Sequence, residues 1–174
     1  MARKKAEEKL NLDSILFKCR DILRQARNSG SFFEKRDMML TLGFLRFMGE
    51  KFEDGIEHLR QTLIDQGLNP DDEEIWNAFF NDPTFTDGTY NLPVEARWST
   101  IINTPAPQLN VALDTALKAL GESDKQLKGC FVEGTFTTRN LEPKDIKMLV
   151  DEINKISHKQ FGEEKDLIGR VYEY

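Results

Sequence analysis

The chain has 174 residues, of which 39% are hydrophobic and 31% charged, and its 30 acidic against 24 basic side chains leave a formal net charge of −6. That length suits one domain with a sizeable core, in proportions typical of soluble globular chains. The acidic balance argues against an autonomous DNA-binding module, because such modules are usually basic, although it leaves room for a DNA-facing surface inside a larger assembly.

Residues 1–10, opening Met1-Ala-Arg-Lys-Lys, read as a flexible arm. The first helix is expected from about Leu12 to Asn28, with Asn11 as its cap. Leu12, Ile15, Leu16, Cys19, Ile22, Leu23 and Ala26 form its inner face. Asn28-Ser-Gly-Ser breaks it. The second helix is the longest, from about Phe33 to Gln66. Its first half carries Met38, Met39, Leu40, Leu42, Phe44, Leu45, Phe47 and Met48 on all sides, the pattern of a buried central helix with Phe44 and Phe47 in the core. Gly43 and Gly49 each cost about 1 kcal/mol against Ala in a helix interior. Close approach of a neighbouring helix would account for them, and so would a kink. Gly67 is the expected stop.

Asn69-Pro-Asp-Asp-Glu predicts an N-cap, a proline at the first helical position and acids in the first turn. A short helix through Ile75, Trp76 and Phe79 follows, then turns at Asn81-Asp-Pro and Thr86-Asp-Gly-Thr. Leu92 to Ile102 reads as another short helix. Thr104-Pro-Ala-Pro opens an amphipathic one through Leu109, Leu113, Ala116, Leu117 and Leu120, closed by Gly121. Cys130 to Thr138 is the only β-prone stretch, a hairpin or an extended loop. A lone hairpin cannot build a sheet core. The expected class is therefore all-α, an orthogonal bundle around a long central helix with at most one short β-hairpin. Pro143 opens a last core helix through Ile146, Leu149, Val150, Ile153 and Ile156, ending before Gln160-Phe-Gly. The helical domain then covers 11–163. Over 164–174, Leu167, Ile168, Val171 and Tyr172 form one stripe with no stop signal after it, which predicts the start of a linker helix that packs on a following domain.

Sites for chemistry are not evident. None of the 11 glycines forms a Gly-x-Gly or a Gly-x-x-x-x-Gly-Lys loop. His58 and His158 are not paired at metal-ligand spacing and read as surface residues. Cys19 and Cys130 sit in apolar patterns, which predicts buried free thiols in a reducing cytoplasm. The longest apolar run, Met38 to Met48, is too short to span a bilayer and contains Arg46, so no membrane contact is expected. The acidic clusters at Asp71–Glu74, Glu50–Glu57 and Glu163–Asp166 are explained by helix starts and a solvated helix face. Two groups of candidate contacts remain. Arg97 and Trp98 could anchor a partner, or Trp98 could plug the core. Arg139 and Lys144 could touch a phosphate backbone, or belong to a solvated loop.

Four segments carry a family resemblance: Leu12-Asp-Ser-Ile-Leu-Phe-Lys-Cys-Arg-Asp-Ile-Leu-Arg, then Lys35-Arg-Asp-Met-Met-Leu-Thr-Leu-Gly-Phe-Leu-Arg-Phe-Met-Gly-Glu-Lys-Phe-Glu, then Leu92-Pro-Val-Glu-Ala-Arg-Trp-Ser-Thr-Ile, and finally Asp166-Leu-Ile-Gly-Arg-Val-Tyr-Glu-Tyr. In this order, and over nearly the whole chain, it resembles the N-terminal helical domain of the methylation subunit of type I restriction–modification systems. The resemblance implies a parent protein whose following domain transfers a methyl group from S-adenosylmethionine to adenine N6. That domain's glycine-rich cofactor loop and Asn-Pro-Pro-Phe or Asn-Pro-Pro-Tyr motif do not occur here, so no catalytic or cofactor-binding residue is carried over. The implied partners are a specificity subunit, a second methylation subunit, the restriction subunit of the full complex, and double-stranded DNA held weakly through its backbone. The implied role is to help assemble the subunits and close them around DNA. The alternative is a free-standing helical adaptor unrelated to methylation.

Overall fold

The computed structural model describes residues 2–82, 92–123, 125 and 127–157, with side chains from residue 12 onward. The described residues form six α-helices and two 3-10 turns, with no strand among them. The class is all-α, as the periodicity predicts.

Helix α1 spans Ala2–Gln25. It starts ahead of the expected boundary, and Asn11 lies within it instead of capping it. Residues 2–10 are all Ala, Lys, Glu, Arg or Leu, strong helix formers, so a single Asn after them is a small local cost. The chain reverses through Asn28 (φ 64°) and Gly30 (φ 82°), both in the left-handed region. Helix α2, Phe32–Asp65, opens with a capping box. The Ser31 hydroxyl accepts from the Glu34 amide at 3.4 Å, and the Ser31 amide donates to Glu34 Oε2 at 2.7 Å. That backbone donor is the chief cause holding the Glu34 carboxyl below its ordinary pKa. At the other end, Leu68 N–H donates to Leu63 O and Gly67 N–H to Ile64 O, both at 2.9 Å. This is a Schellman closure, with Gly67 at φ 74° as the expected stop.

Helix α2 is 34 residues long, roughly 50 Å, but it is not apolar-buried all round. Met38, Met39, Leu42, Leu45, Met48 and Phe52 are buried, whereas Leu40, Phe44 and Phe47 are only partly so. At 100° per residue the buried set occupies one wide arc, and Leu40 and Phe47 fall opposite it. Phe44 flanks the arc against Phe131, ring centroids 5.6 Å apart, and Phe47 lies under the Lys51 ammonium at 4.9 Å. Phe44 and Phe47 thus pack against the core, as expected, but without the full burial of a helix surrounded on all sides.

Helix α3, Glu73–Phe80, is capped by Asp72 rather than Asn69. The Asp72 carboxylate accepts from the Glu74 and Ile75 amides at 3.0 and 3.2 Å, while Asn69 instead closes its own turn onto the Asp71 amide. Phe80 meets Phe52 edge-on at 6.3 Å, which folds α3 back against α2. The expected helix over 92–102 is two pieces, a 3-10 turn at Val94–Ala96 and α4 at Trp98–Ile102, with Arg97 extended between them. A second 3-10 turn at Ala106–Gln108 leads into α5, Leu109–Ser123, which runs past Gly121. Helix α6 is Pro143–Asn154.

The core is a stripe-to-stripe fit. Leu12, Ile15, Leu16, Cys19 and Leu23 of α1 join Ile146, Leu149, Val150 and Ile153 of α6 in one buried cluster. Helix α6 packs on α1, α2, α4 and α5 together, so this short helix ties the bundle as much as long α2 does. Each of its four apolar side chains contributes about 1.5–3 kcal/mol on full burial.

The β-prone segment forms no hairpin. Residues 131–139 are a string of turns, anchored by fully buried Phe136. The Asp114 carboxylate of α5 accepts from Phe136 N–H (3.1 Å), Thr137 N–H (2.8 Å) and the Thr137 hydroxyl (2.6 Å). These bonds occupy backbone donors that a sheet partner would otherwise take.

Candidate interaction surface

Among the described residues, no group of three or more His, Cys, Asp or Glu side chains could hold a metal ion. His58 is exposed, and His158 lies outside the described residues. Cys19 is fully buried, and burial, assisted by the nearby Glu152 carboxylate, pushes its thiol up to about 12. Glu152 is itself buried but paired, at 2.6 Å from Lys155 Nζ and 3.7 Å from Lys18 Nζ. Cys130 is exposed, against expectation. It sits in the loop after α5, where Phe131 and Phe136 supply the inward side chains. A thiol reagent at neutral pH should therefore label Cys130 in the native protein and reach Cys19 only at the rate of unfolding. Equal labelling of both would contradict this packing. The Cys19 folded value lies above the ordinary 9.0. Its contribution to stability is thus complete below that pH and is lost as pH rises toward 12.

The four expected contact residues are not gathered into one patch. Trp98 is only 1% exposed, so it is a core plug and not a surface anchor. Its Nε1–H donates to Asn154 Oδ1 at 2.8 Å, and the Arg46 guanidinium lies 5.6 Å from its ring centroid. Its backbone passes so close to α2 that a Cβ on Gly49 would sit 3.0 Å from Trp98 N. This close approach explains that helix glycine without a kink. Arg97 donates from Nε to Leu92 O at 3.0 Å and stacks over Phe52 at 4.7 Å, so it braces the 3-10 turn. Arg139 reaches back to Glu34 at 2.6 Å and ties the 131–139 turns to the start of α2. Lys144 is exposed in the first turn of α6. Leu167, Ile168, Val171 and Tyr172 lie outside the described residues.

A different surface concentrates charge and apolar area. Where the end of α1 meets the start of α2, a groove of about 280 Å³ opens. Leu23 and Met39, both buried, form its floor, and Phe32 forms one wall. Arg20, Arg24, Lys35 and Arg36 line the rest. Phe32 and Phe33 remain 57% and 63% exposed. The Arg36 guanidinium lies 5.2 Å over the Phe33 ring, and Arg20 lies 5.3 Å over Phe17.

Residues 12–153 match the family described as HsdM N-terminal domain, a span that runs from the α1 core stripe to the last buried residue of α6. The chain belongs to the HsdM N-terminal domain family. It is also similar to the type I restriction enzyme MjaIX methylase subunit of Methanocaldococcus jannaschii, with 28% identity over 170 residues. That alignment covers 93% of this chain and 29% of the relative. The chain thus spans under a third of the length of the methylase subunit it matches. The groove of this HsdM N-terminal domain is what sequence reading missed. Arg20 and Arg24, one turn apart, and Lys35-Arg36 were visible as cations, but only the turn between the helices brings them together.

Proposed function

We propose that the chain is the assembly domain of a type I methylation subunit, which joins that subunit to a second copy and to a specificity subunit and closes them around duplex DNA. The restriction subunit adds to this in the full complex, in the cytoplasm. The parent subunit carries S-adenosylmethionine and methylates adenine N6 in its following domain. Lys144, with Arg139 nearby in sequence, is taken as a weak backbone contact, and Leu167, Ile168, Val171 and Tyr172 as the stripe that packs on the catalytic domain.

The observation that carries this reading is the family match across residues 12–153. No described helix is long and apolar enough to cross a membrane. The test is to delete residues 12–153 from the parent subunit and to reconstitute it with the specificity subunit. The expected result is retained binding of S-adenosylmethionine with loss of stable closure on DNA, read as a faster off-rate. Unchanged assembly and an unchanged off-rate would refute the proposal.

A further inference from the structure

We propose that the groove between α1 and α2 is a docking site for an acidic, apolar-faced segment of a partner protein. This inference rests on the assembly reading above and gives one of its surfaces a partner chemistry.

The first support is charge. The chain carries −6 overall, yet Arg20, Arg24, Lys35 and Arg36 converge on one groove. Asp21 and Arg24 offset each other at 3.1 Å and Glu34 is held by Ser31 and Arg139, so Arg20 and Lys35 leave the groove with a positive excess. The second support is the exposed apolar surface. Phe32 in the groove wall and Phe33, its ring 5.8 Å away, are both more than half exposed, the kind of apolar surface that marks interaction sites on soluble domains. The third is geometry. Arg20 is exposed with its guanidinium 5.3 Å from the Phe17 ring centroid, a place from which it can take a carboxylate in paired bonds.

The floor decides between occupants. A duplex could satisfy the cations, but its phosphate backbone has nothing apolar to set against Leu23, Phe32 and Met39. A second copy docking by two-fold symmetry would bring two basic rims face to face, which is repulsive. A helix that presents leucine or phenylalanine flanked by glutamates meets both demands at once. At about 280 Å³ the groove is just below the usual size of small-molecule sites and suits one or two inserted side chains.

The test uses the full 174-residue chain and a fluorescein-labelled peptide, acetyl-Glu-Glu-Leu-Leu-Glu-Glu-Phe-Leu-Glu-Glu-amide, followed by anisotropy. Saturable micromolar binding is expected. It should weaken about tenfold or more when the peptide's apolar residues become serine, and likewise on Arg20→Glu or Phe32→Ser in the protein. Both sites are exposed, and an unchanged thermal melt establishes that each variant is folded. Absence of saturation, equal binding of the serine peptide, or indifference to Arg20→Glu would overturn the proposal. So would a mixed-sequence DNA duplex that binds more tightly than the peptide and depends on the same residues, which would assign the groove to nucleic acid. The peptide assay needs no other subunit, so it can fail while the domain-deletion test succeeds, or the reverse.

Discussion

Trp98→Ala should destabilise the domain by about 3–5 kcal/mol and lower its melting temperature by roughly 10–15 °C. The side chain is 1% exposed, so truncation leaves a cavity that backbone relaxation fills only in part. Its neighbours add to the loss. Asn154 Oδ1 loses the indole donor at 2.8 Å, and the Arg46 guanidinium loses the ring face beneath it. Arg46 Nε also donates to Ile156 O at 3.1 Å, so one residue couples α2, α4 and the chain beyond α6. Trp98→Phe separates the contributions: it keeps most of the packing, loses the hydrogen bond, and should cost about 1–2 kcal/mol. A melt unchanged by Trp98→Ala would show that the α2–α4 contact is wrongly placed.

What was legible in the chain was periodicity. The stripes of α1, α5 and α6 could be read residue by residue because each helix buries one face against one set of neighbours, and spacing reports a single face directly. Gly67 was legible because its left-handed turn has a local chemical requirement. Features that depend on two elements meeting were not. Gly49 admitted a kink or a close neighbour, and only the passage of Trp98 over it chose between them. That same passage settled whether Trp98 faced a partner or the core. The depth of Phe44 and Phe47 was not legible, because a dense apolar run looks the same whether the helix is surrounded or merely wide-faced. The groove was invisible for a related reason. Arg20 and Arg36 lie on different helices, and the angle between those helices depends on the left-handed turn at Asn28 and Gly30.

The turns over 131–139 give the second large effect, because two anchors hold them and the anchors are coupled. Phe136 is fully buried, and Phe136→Ala should cost about 3–5 kcal/mol. Asp114→Ala removes three hydrogen bonds to one carboxylate and strands the backbone donors of Phe136 and Thr137. Bonds to charged acceptors contribute about 1.5–3 kcal/mol each, but exposed Thr137 can turn to water, so a net cost of about 2–3 kcal/mol is expected. Phe136 can enter the core only while its own amide is satisfied, and Asp114 satisfies it. Either substitution alone should therefore release the segment. The double variant should lose less than the sum of the two, by about 1 kcal/mol or more. Limited proteolysis provides an independent readout, with cleavage between 130 and 140 rising in both single variants. Release of this segment also frees Glu34 from Arg139, so the effect reaches the start of α2 through an ion pair as well as through the core. Strict additivity, or protease resistance equal to that of the native chain, would mean that buried Phe136 holds these turns without help from Asp114.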